Sequence, residues 1–192
     1  MKKTTPLMLA TVLVLFGCVP SLHELYTKET LAFDPALAGK WQQDNEVWEF
    51  VPDVENKVYA LTVYKDKEKN SQLTAHLVDV KGQRFFDLYP AKDAEIETGD
   101  LLKMCIVPAH LFLHIEQTEP NLVLAAMDPD KIGDLLEEKP DMVKHERIED
   151  RDVLTDTPER LQAFVTAGLA IEKFYGDPMI LRRIKAAEPQ KP

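Results

Sequence analysis

The chain has 192 residues, 45% of them hydrophobic, with 23 Lys and Arg against 33 Asp and Glu. That length and composition fit one globular domain and exclude a disordered tail, and two Cys and seven Gly exclude a disulfide scaffold and a collagen-like chain. The formal charge of −10 repels phosphate backbones, so no nucleic-acid partner is expected.

Met1-Lys2-Lys3 is a short basic start, followed by the apolar, uncharged run Pro6 to Gly17. A run of that length is too short to span hydrocarbon, which takes about 20 residues, and reads as a secretory signal peptide over residues 1–17. Leu15-Phe16-Gly17-Cys18 resembles the bacterial lipobox, with Leu at −3, a small residue at −1 and Cys at +1, and with Phe16 departing from the usual small or aliphatic −2 residue. The resemblance implies cleavage before Cys18 and lipidation of Cys18, so the expected partner is a membrane, held through several acyl chains. Val19 at +2 is not the Asp linked to inner-membrane retention. The resemblance therefore implies an outer-membrane lipoprotein facing the periplasm. Cleavage would remove Lys2 and Lys3 but no acid, taking the charge to −12. Cys105, in the apolar run LLKMCIVP, is then the one remaining thiol and is expected to be a buried structural residue.

Residues 18–38 are expected to be the lipidated Cys and a tether that ends by docking on the domain, and residues 39–185 a single β-barrel-like domain. Val47–Val51, Val58–Tyr64, Leu73–Val80 and Gln83–Tyr89 are rich in β-formers and read as strands. The charged stretch 65–71 reads as a hairpin loop, and residues 91–100 as a longer loop. Leu101–Val107 and Leu111–Gln117 read as one bent strand or two, and Asn121–Met127 as another after the turn at Glu119-Pro120. Asp128-Pro129 and Thr157-Pro158 each place a capping side chain before a Pro at the first helical position. They predict helices over 129–138 and 158–175, the second with a broad apolar stripe that must pack on the sheet. Residues 144–147 and 152–154 fit short edge strands, 179–184 a last strand or turn, and 186–192 a frayed tail.

Gly39-Lys40-Trp41, just before the first strand, resembles the first-strand motif of lipocalins, where the Trp plugs the closed end of the barrel. The lipocalin Thr-Asp-Tyr segment is absent, and the Arg that would stack on the Trp is Arg182 or Arg183. The order Gly-x-Trp, Phe85-Phe86-Asp87-Leu88-Tyr89-Pro90, Pro108-Ala109-His110-Leu111-Phe112 and Thr157-Pro158-Glu159-Arg160-Leu161 is similar to a group of uncharacterised bacterial lipoproteins, and covers most of the chain after Cys18. The fold expected is β-rich: an antiparallel β-barrel or strongly curved sheet, lipocalin-like, with a packed C-terminal helix.

His110 and His114 invite a metal reading, but residues four apart on a strand lie about 13 Å apart, while a Zn–N bond is about 2 Å. Alternation instead assigns His110, Phe112, His114 and Glu116 to an outer, polar face, and Leu111, Leu113 and Ile115 to the core. No metal or other cofactor is expected. No Cys-x-x-Cys, Gly-x-Ser-x-Gly, P-loop or Gly-x-Gly-x-x-Gly occurs, so no catalytic residue is assigned and an enzyme is not the expectation. A His–acid pair in a pocket would revive that reading. The aromatic residues concentrate in the β part. Packing explains most of them, and Trp48, Phe50, Tyr59 and Phe86 are the candidates to line a cavity for a small apolar ligand. Two functions follow: a membrane-anchored periplasmic barrel that binds such a ligand, or a non-enzymatic envelope accessory protein that presents its surface to a protein partner.

Overall fold

The computed structural model describes residues 18–94 and 98–185. The expected signal peptide and tail lie outside the described residues. The chain opens with two short strands, β1 (Pro20–Ser21) and β2 (Leu31–Ala32), and a 3-10 turn at Pro35–Leu37. Next come β3 (Gly39–Gln43), β4 (Glu46–Asp53), β5 (Val58–Lys65), β6 (Glu68–Val80) and β7 (Gln83–Pro90). After a short helix, α1 (Asp100–Lys103), come β8 (His110–Gln117) and β9 (Asn121–Ala126). The chain then leaves the sheet through α2 (Pro129–Glu138), the hairpin β10 (His145–Ile148) and β11 (Arg151–Leu154), and α3 (Pro158–Gly168), and returns as β12 (Met179–Arg183).

Eight strands, β3 to β9 and β12, close an antiparallel, lipocalin-like β-barrel. β12 closes it by pairing with β9 on one side and β3 on the other. The strand order around the barrel is therefore up-and-down, and α2 and α3 belong to one long excursion between its last two strands.

Strand directions sort the connections into two ends. The 3-10 turn, the tips at 54–57, 81–82 and 118–120, and Arg183 lie at one end. The turns at 44–45 and 66–67, residues 91–94 and 98–109, and the helical excursion lie at the other.

Two apolar cores result. Inward positions such as Trp41, Phe50, Leu61, Leu77, Phe86, Leu113 and Leu181 fill the barrel. A second core lies outside it, where Val78, Val80, Phe85 and Phe112 meet Ile132, Leu135 and Leu136 of α2 and Leu161, Phe164 and Val165 of α3. Strand β7 is thus covered on both faces, and Phe85, Phe86, Asp87 and Leu88 are all buried. Each large apolar side chain so buried stabilises the fold by about 1.5–3 kcal/mol before entropy.

Several expectations need correction. The hairpin loop at 65–71 shrinks to a two-residue turn. Asp66 and Lys67 both take positive φ (51° and 70°), which matches strand twist and lets β6 start at Glu68. Leu101–Val107 is not a strand: α1 and an exposed loop occupy it, just ahead of Pro108, which has no N–H for a ladder. Cys105 is accordingly exposed, not buried. Helix α3 stops at Gly168 because the chain folds back and lays Phe174 on it; a Cβ at Gly168 would sit 2.3 Å from the ring. The stretch expected as a tether is built into the domain. Val19, Ser21, Leu25 and Leu37 are buried, and β1 pairs with both β8 and β11. The face of His110, Phe112 and His114 points out of the barrel as expected, yet it is covered by the second core rather than by solvent.

Candidate functional site

The barrel has one sealed end. Gly39 takes φ +115°, a backbone conformation that favours glycine, and turns the chain from the 3-10 turn into β3. Two residues on, Trp41 points inward and donates its indole N–H to the Leu37 carbonyl at 3.0 Å. The Arg183 guanidinium covers the Trp41 ring at 4.0 Å. It also donates to the Ala38 carbonyl at 2.9 Å and to the Ala36 carbonyl. Of the two Arg candidates, Arg183 therefore makes the stack; Arg182 is exposed on the opposite face of β12, beside Gln42. A second latch sits beside this one. Asp34 accepts from Arg84 at 3.0 Å, and its carbonyl accepts from the Tyr59 hydroxyl at 2.8 Å. Burial raises the Tyr59 pKa, and its hydroxyl also accepts the Asp34 N–H at 2.9 Å.

The four expected lining residues divide into two groups. Phe50, Tyr59 and Phe86 are at most 1% exposed and pack on one another: Phe50 stacks on Phe86 at 5.2 Å, and Tyr59 meets both edge-on at 6.1 and 6.2 Å. They form a filled floor. Trp48 is half-buried, one inward step nearer the far end, opposite Val63. At that far end Leu73, Leu111, Ala126 and Met179 also occupy inward positions, are only partly buried and pack on the interior core. With Trp48 they make an apolar rim. A cleft of about 850 Å³ lies at the same end, lined by residues 69–73, Asp93 and Ala94.

A polar cluster sits outside the barrel, beneath the N-terminal segment. The Asp87 carboxylate is fully buried; one oxygen accepts the Leu25 N–H at 2.7 Å and the other lies 2.7 Å from His110 Nδ1. Gln162 of α3 donates to the Leu25 carbonyl at 2.8 Å, so both backbone groups of Leu25 are held by side chains from different elements. His76, opposite Asp87 across β6 and β7, stacks on Tyr26 at 4.2 Å, and its buried Nδ1 has no hydrogen-bond partner among the described residues. Burial lowers the His76 pKa, with the Asp87 charge opposing; burial lowers that of His114 likewise. The Asp87–His110 pair is the kind of arrangement that orients an imidazole for proton transfer. Here its carboxylate is committed to Leu25, and the pair fastens the N-terminal segment to the barrel.

Cys18 is half-buried, and burial raises its thiol pKa. It lines a cleft of about 310 Å³ with residues of α2 and the β10–β11 hairpin, among them Asp130, Asp134, Arg147 and Asp152. No group of three potential metal ligands occurs among the described residues, and among them no helix is long and apolar enough to cross a membrane.

Sequence reasoning missed the Leu25 clamp and the exposed run at 101–107. One signal for the first was available: Asp87 is the lone charge in the apolar run FFDLY. No protein-family model matches the chain, and neither a curated protein nor a solved structure does.

Proposed function

We propose that this protein is a membrane-anchored barrel of the bacterial envelope, tethered through acyl chains on Cys18 and facing the periplasm from the outer membrane, which takes a small apolar ligand at its open end. The observation that carries the reading is the asymmetry of the barrel. Trp41 and Arg183 seal one end, while Trp48, Leu73, Leu111, Ala126 and Met179 leave a partly exposed apolar rim at the other. Apolar walls with few polar groups suit a ligand bound by area rather than by hydrogen bonds. The filled floor of Phe50, Tyr59 and Phe86 limits entry to the outer part of the barrel, so the ligand is short or enters by one end only.

An apolar fluorescent probe such as N-phenylnaphthylamine tests this. Its emission should rise on addition of the protein, and Trp48→Asp should abolish the rise while leaving the folded signal intact. No rise with the wild-type protein would contradict the reading.

The same packed floor favours a second reading, a non-enzymatic accessory protein that docks on an envelope partner by its surface. Cross-linking in whole cells that yields one reproducible heteromeric product, with no probe binding, would select it.

A further inference from the structure

Five of the twelve exposed large apolar side chains among the described residues fall within residues 101–107. Leu101 is 82% exposed, Met104 83% and Val107 71%, with Leu102 and Ile106 less so. They belong to the connection from β7 to β8, which leaves the barrel at Pro90 and rejoins it at His110, both at the open end. Clustered exposure of this kind marks a contact surface rather than the normal spread of apolar residues over a protein. An apolar surface for it to meet lies at the same barrel end: the partly buried rim of Trp48, Leu73, Leu111, Ala126 and Met179.

We infer that residues 101–107 are a lid: they swing over the open end, bury their apolar side chains on the rim, and so control entry and release of the ligand. The inference rests on the ligand site proposed above and adds its regulation. Three observations carry it. First, both apolar surfaces stand uncovered at one end of one molecule and are joined by its own chain. The tether makes their meeting intramolecular, which favours it over capture of a separate partner of equal apolar area. Second, the loop is long enough. Eight tilted strands about 4.8 Å apart enclose a ring roughly 15 Å across. Cys105, in the middle of the patch, lies five residues before His110. At about 3.3 Å per residue that is a reach of roughly 17 Å, enough to cross the mouth. Third, the space is there. The cleft of about 850 Å³ begins at the rim residue Leu73 and runs along residues 69–72 of β6 to Asp93 and Ala94, where the connection from β7 starts. Lys69 lines it from β6 and Asp93 from the loop, so closing it brings unlike charges together. With the lid shut, a ligand lies between the filled floor and a dry apolar cover, and its release waits on the loop.

The exposed Cys105 supplies a thiol in the lid, and Met179→Cys supplies one on the rim. The full-length variant is oxidised, mapped by peptide mass, and assayed with N-phenylnaphthylamine before and after reduction, so that each sample is its own reference. Val54→Cys, exposed at the sealed end, is the control position. The expected result is a disulfide between Cys105 and position 179 within one chain, and none to position 54. Probe uptake should be about tenfold slower while the link is intact and should recover on reduction, as for a loop that gates its site. A second variant, Leu101→Asp with Met104→Asp, leaves the thiols alone and should release bound probe about tenfold faster, the factor that one lost apolar side chain is worth. No link to position 179, with uptake by the wild type intact, overturns the lid alone. A link that leaves uptake unchanged does so too, as does unchanged release from the double variant. A link between two chains also overturns it, and assigns the patch to a second copy. No uptake by the wild type contradicts the ligand site, and the lid with it.

Discussion

Arg183 lies over the ring of Trp41 at 4.0 Å, joining the last strand of the barrel to the first. The same guanidinium holds the carbonyls of Ala36 and Ala38, so one side chain closes the sheet, the 3-10 turn and the indole plug together. Arg183 is solvent-exposed, which keeps the cation–π part near 0.5–1 kcal/mol. Arg183→Ala is expected to cost about 1–2 kcal/mol in urea unfolding, with the lost hydrogen bonds included. Arg183→Lys should recover little, because an ammonium cannot stack flat and serve two carbonyls. Arg182→Ala should change stability by less than about 0.5 kcal/mol.

Gly39 explains the first residue of the Gly-x-Trp motif twice over. Its φ of +115° strains any L side chain, and a Cβ there would lie 3.1 Å from Arg183 Nη1. Gly39→Ala is expected to destabilise by more than about 1 kcal/mol. The double variant with Arg183→Ala relieves the crowding but not the backbone strain, so its cost should fall short of the sum of the two single costs.

Floor and rim should separate under mutation. Phe86→Ala empties a fully buried site between Phe50 and Tyr59 and is expected to cost about 3–5 kcal/mol. Trp48→Ala removes a half-buried rim residue; calorimetry should show a smaller loss of stability but a clear loss of probe binding.

The segment over Asp87 should weaken in mild acid. Burial holds the folded-state pKa of His76, and that of His114, below the unfolded value of about 6.5. The unfolded chain therefore binds protons first, and stability present above pH of about 6.5 is lost as the pH falls through the lower folded pKa values. His76→Phe is expected to flatten that part of the stability–pH curve. Hydrogen exchange should show the Leu25 amide, which donates to Asp87, opening earlier in acid than the amides of β5.

Much of the barrel was legible in the sequence. Strands β4, β5 and β7 announce themselves through β-branched and aromatic runs, and α2 through Asp128 capping the Lys131 N–H with Pro129 behind it. The errors share one cause: they concern what a segment packs against. Alternation placed His110 and Phe112 outside the barrel correctly, but nothing local says that α2, α3 and residues 19–25 cover that face. Leu101–Val107 has strand-like composition and no strand to pair with. Helix α3 was overextended because Ala170 and Ile171 keep its apolar rhythm, while the stop depends on Phe174 meeting Gly168. The choice of Arg183 over Arg182 follows from the pairing of β12 with β3, a contact between residues more than a hundred positions apart.

Native mass spectrometry of the chain released from bacterial membranes in mild detergent tests the central claim most directly. The account predicts the mass of residues 18–192 with acyl chains attached, plus a reproducible small apolar adduct that is lost on unfolding and absent from the Trp48→Asp variant. A wild-type protein that carries its acyl chains but never an adduct, even after incubation with membrane lipid extract, would contradict it.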